Sequence, residues 1–118
     1  MEHVQFITID DDHDLVVSFA IPYGDLGDVK SFTLLRTPMY EPFLDEQERG
    51  VRVSFEDFPQ GRVERLVRLT IEGGLVAVAT DRGDYMLDIT DVEQEEVDAC
   101  KRVLRKMNRD QCFELKIA

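Results

Sequence analysis

Along most of this chain apolar residues recur at every second position, in short runs punctuated by turn formers, which predicts strands. Residues 4–9 and 15–21 flank the polar break Asp10-Asp11-Asp12-His13-Asp14 and predict a hairpin. Residues 23–28 carry Gly24 and Gly27 and read as a loop, followed by a third strand at 31–36. Within 51–56, Val51, Val53 and Phe55 face one way and Arg52, Ser54 and Glu56 the other. The turn Asp57-Phe58-Pro59-Gln60-Gly61 follows. From Glu64 onward Val67, Leu69 and Ile71 alternate, and Gly73-Gly74 predicts a tight hairpin into residues 75–80. Tyr85, Leu87 and Ile89 form one face of a further strand.

A helical period is clearest near the C-terminus, where Val97, Cys100, Val103, Leu104 and Met107 make one stripe. Thr90-Asp91-Val92-Glu93 has the form of a capping box at its start. Acids crowd its first turns and bases its last, matching the helix dipole, and Asp98 precedes Arg102 by four residues. The helix is expected over about 91–108. Phe113, Leu115 and Ile117 then alternate in a final strand over 112–117. Pro38 and Pro42 argue against a central strand or long helix in 37–50, leaving one helical turn at 45–50. The elements add up to an α+β fold: a mainly antiparallel, twisted sheet of about six to eight strands, one helix and a last strand. Its 118 residues suit a single domain spanning 1–118.

Charge narrows the function. The chain has 25 acids against 14 bases, a net charge of −11, which repels nucleic-acid backbones and anionic membranes. An acidic surface either keeps a protein soluble or steers it onto a basic partner. Met1-Glu2-His3-Val4-Gln5-Phe6 lacks the basic start and apolar run of a secretory leader, and no run reaches membrane-spanning length. A cytoplasmic location is expected, with Cys100 and Cys112 reduced and packed in or near the core.

Candidate chemistry is sparse. Asp10-Asp11-Asp12-His13-Asp14 offers hard ligands, but Leu15 and Ile21 stand where an EF-hand needs its glycine and its glutamate. A solvated loop with at most adventitious divalent binding is the expectation. His3 and His13 have no cysteine or serine at a catalytic spacing. Arg82-Gly83-Asp84 reads as a turn, and Gly73-Gly74 lacks the pattern and lysine of a phosphate loop. No catalytic residue, cofactor or metal site is assigned, so an enzyme is not expected.

A cluster suited to a protein partner lies in 41–57, which holds six acids and two arginines. Tyr40, Phe43, Leu44 and Phe58 are interleaved with it, and apolar anchors within a charged rim are what interfaces use. The candidate contact residues are Tyr40, Phe43, Asp45, Glu46, Glu48, Glu56, Asp57 and Phe58.

Ser31-Phe32-Thr33-Leu34-Leu35-Arg36, then Leu44-Asp45-Glu46-Gln47-Glu48, then Gly50 and strand 51–56, resemble a bacterial family of polymorphic-toxin immunity proteins. The resemblance covers residues 31–105; the turn 58–61 departs from the tyrosine- and glycine-containing turn of that family. It implies a non-catalytic protein that binds and neutralises a cognate toxin, a basic one by charge complementarity. The alternative is a self-associating structural domain, a homodimer.

Overall fold

The computed structural model describes residues 1–45, 49–59 and 62–118. Among these residues it is an α+β fold: an open, mixed but mostly antiparallel sheet of nine strands, and one α-helix. The strands are β1 (Glu2–His3), β2 (Phe6–Asp11), β3 (Leu15–Tyr23), β4 (Asp28–Arg36), β5 (Arg52–Phe55), β6 (Glu64–Glu72), β7 (Leu75–Thr80), β8 (Asp84–Asp88) and β9 (Glu114–Ile117). The helix α1 is Gln94–Met107. All eight strands expected from the alternation are present, and the two-residue β1 is the ninth.

The order is β1-β8-β7-β6-β5-β4-β3-β2, with β9 added to β6. Both ends of this path come from one stretch of chain. β1 runs parallel to β8 and β2 antiparallel to β3, and between them Val4 N–H donates to Asp88 O and Gln5 N–H to Ala20 O. β6 is the branch point: β5 pairs with Glu64 and Arg65, and β9 runs parallel to residues 68–71.

At that handover the register slips between Leu66 and Arg68. The irregularity turns Val67 outward, to 45% exposure, and keeps Leu66, Leu69 and Ile71 all buried. The expected face of Val67, Leu69 and Ile71 is thus corrected at its first member. The inward residues of the strands, among them Val17, Phe19, Phe32, Leu34, Val53 and Val78, share one core with the helix stripe Val97, Cys100, Val103, Leu104 and Met107.

The helix begins later than its capping signature suggests. Thr90 Oγ1 donates to Asp88 instead, at 2.7 Å, and Glu93 is the N-cap with no side-chain cap bond. Asp98 accepts from Gln94 at 2.9 Å, not from Arg102. Glu96 turns back to the sheet, where its Oε1 accepts the backbone N–H of Ile7 at 2.7 Å. That bond covers a donor on the edge of β2, and Lys106 Nζ, 2.6 Å from Asp11, pins the far end of the same strand. Among the described residues no helix is long and apolar enough to cross a membrane.

Candidate interaction surface

The alternation that carries Phe32 and Leu34 inward also delivers Arg36, the last residue of β4, into a buried position. A buried guanidinium needs its donors filled. Its Nη1 and Nη2 each donate to one oxygen of Asp110 at 2.8 Å. Nε and Nη2 fork onto Glu41, the latter at 2.9 Å, and Nη1 also reaches the Met107 carbonyl at the helix end, which accepts from the Cys112 thiol as well. One side chain therefore joins the sheet, the C-terminus of α1 and the segment after β4.

The electrostatics follow from that packing. Asp110 and then Glu41 raise Arg36 above its usual value, while the guanidinium holds the Asp110 carboxyl well below the usual carboxylate range. The Cys112 thiol lies 3.2 Å from Arg36 Nη1. Cys112 is exposed, not packed in or near the core as expected. Partial burial of its sulfur still pushes the thiol up to about 11; Arg36 opposes this and Asp110 adds to it, so the thiol is protonated at neutral pH. Cys100 is in the core, and burial pushes it up to about 12.

The clamped segment is a 3₁₀ helix, Pro38–Phe43, with prolines at its start and interior and no buried residue. Glu41 holds it from one side; on the other, Thr37 Oγ1 donates to Asp14 at 2.8 Å. Met39, Tyr40 and Phe43 are left in solvent, Phe43 at 85% exposure. The acidic hairpin loop lies beside them: Asp11, Asp12 and His13 share a hollow of about 450 Å³ with Pro38, Met39 and Lys106.

The structure divides the expected contact cluster. Tyr40, Phe43 and Asp45 lie together at one end of the β4–β5 pair and are exposed. Glu46 and Glu48 lie outside the described residues. Glu56, Asp57 and Phe58 lie at the opposite end of β5. There Glu56 accepts the Ser31 N–H at 3.3 Å and Asp57 pairs with Lys30 at 2.8 Å. Phe58 is half-buried among Phe55, Phe32 and Tyr85, with ring centroids 5.8, 6.3 and 5.3 Å away. Proximity along the chain groups residues 40–58 into one patch, whereas the extended β5 carries its two ends apart. The Asp10–Asp14 loop forms no group of metal-binding side chains among the described residues.

A second buried polar centre lies under the far end. Glu64 Oε1 accepts from Thr80 Oγ1 at 2.5 Å and Tyr85 OH at 2.7 Å, and Oε2 is 3.0 Å from Arg62 Nη2. Burial and then Glu64 raise the Tyr85 hydroxyl above its usual value. Sequence reasoning missed both centres. For Arg36 a signal existed, since the alternation of β4 places it on the inward face; its partner Asp110 is 74 residues away and carries none. Comparison with protein-family models, curated proteins and solved structures finds no match.

Proposed function

We propose that this chain is a non-catalytic binding protein that captures a basic protein, neutralisation of a bacterial toxin being the role its resemblance to immunity proteins implies. One observation carries the reading: Met39, Tyr40 and Phe43 stand exposed on a segment clamped at Glu41 and Thr37. Exposed apolar side chains on a rigid support lose little freedom on binding, which is how interface anchors gain affinity. The occupant is basic because Asp12, Asp14 and Asp45 lie beside the anchors on a chain of net charge −11. Complementary charge speeds the encounter, and the apolar anchors then slow release.

The test is capture from the native organism's lysate with the wild-type chain and with Phe43→Ala, then purification and titration of the identified partner. A single basic protein, bound at about nanomolar Kd, with an on-rate that falls as salt rises, is expected. Phe43→Ala should weaken it at least about tenfold with an unchanged melting temperature. Enrichment of the chain alone, in an equal amount from the variant, points to a self-associating domain and overturns the reading.

A further inference from the structure

Five basic side chains, Lys30, Arg36, Arg62, Arg68 and Lys106, each meet a carboxylate among the described residues. Among the described residues the other nine of the 14 basic side chains do not, Arg52 and Arg65 among them. These two are direct cross-strand partners in the β5–β6 ladder, so their side chains leave the same face of the sheet side by side. Like charges opposed in this way destabilise a strand pair. Arg49 joins them: it lines a hollow of about 500 Å³ with Arg65, Leu66 and Val67, and its Nε donates to the Leu44 carbonyl at 3.3 Å. Gly50, Arg36 and Glu41 line both this hollow and the adjoining one that Arg52 lines. The Gly50 φ of +102° is one that other residues rarely adopt, and it lets the chain turn between Arg49 and Arg52.

We propose that Arg49, Arg52 and Arg65 form a binding site for a small organic anion bearing a phosphate or carboxylate group. The arginine fork matches the oxygens of either, and a concave site concentrates the field of its charges. The hollow's size suits such a molecule. Arg36, in the floor, is already saturated by Glu41 and Asp110, and those carboxylates repel an anion that penetrates deeply. The ligand therefore sits at the mouth, against the three exposed arginines. Arg52 shares its hollow with the anchor Tyr40, so this site adjoins the surface proposed above, but its ligand is an anion and its test needs no protein partner.

The test uses the isotope-labelled full chain and two probes, inorganic phosphate and succinate, each titrated at ionic strength matched with sodium chloride. Saturable amide shifts centred on Gly50, Val51 and Arg65 are expected with at least one probe, and which probe responds identifies the group. Arg52→Gln/Arg65→Gln should weaken that binding at least about tenfold. Without ligand the same variant should melt at a higher temperature than the wild type, because it relieves a repulsion that no ion pair among the described residues offsets. Absence of saturable shifts, or shifts unchanged in the variant, overturns the proposal; so does a lower melting temperature, which would mean the arginines serve the chain's own carboxylates.

Discussion

Arg36 converts a strand position into a junction, and its pH behaviour follows from the partner it depresses. Asp110 titrates near about 3.9 when unfolded, and Arg36 holds it well below that in the fold. A depressed carboxylate stabilises the fold above its unfolded value, and this contribution is lost as the pH falls through the native one. The wild-type melting temperature should therefore fall steeply below about pH 4. Asp110→Asn should be less stable at neutral pH by about 1 kcal/mol, a figure kept small because the carboxylate is 58% exposed. It should then lose less on acidification, so that the two curves converge. Thermal melts of both proteins from pH 7 to 2 measure this, and parallel curves would remove Asp110 from the account.

Elements are held in register by turns as much as by faces. Gly73 and Gly74 join β6 to β7 with φ of +59° and +81°. They are not equivalent. A Cβ at Gly73 would meet nothing, whereas one at Gly74 would lie 2.6 Å from Thr90 Cγ2. Gly73→Ala should cost about 1 kcal/mol from backbone strain alone, and Gly74→Ala about 2 kcal/mol or more, because Thr90 must also move. Urea titrations of the two variants compare the costs, and equal losses would mean that Thr90 yields freely. This hairpin was legible in the sequence because glycine pairs and alternation are local signals, and the strands around it were legible for the same reason. What was not legible depended on distant residues. The slip at Leu66–Arg68 exists because β6 changes partner from β5 to β9, two strands far apart in the chain. The N-terminus of α1 shifted because Asp88 took the Thr90 hydroxyl that would have capped it. Of the expected contact residues, Tyr40, Phe43 and Asp45 were placed together by chain proximity. Glu56, Asp57 and Phe58 were drawn off by an extended strand that proximity alone does not reveal.

Across the whole molecule, net charge and ion pairs pull stability in opposite directions with salt, and their length scales decide which prevails. The molecule measures 43 × 33 × 25 Å, so its surplus of acids repels across tens of ångströms. The ion pairs act over far shorter distances, 2.8 Å between Lys30 and Asp57 and 2.6 Å between Lys106 and Asp11. The Debye length falls from about 30 Å at 0.01 M salt to about 10 Å at 0.1 M. Over that range the repulsion between opposite faces passes from felt to screened, while pairs in contact, several of them half-buried, are hardly affected. Self-repulsion is therefore lost first, and added sodium chloride should raise the melting temperature by a few degrees. Calorimetry at the two salt concentrations and fixed neutral pH measures the shift. A fall would mean that the contact pairs outweigh the net charge, and it would also weaken the case for the acidic surface as a long-range attractor of a basic partner, since the same field underlies both effects.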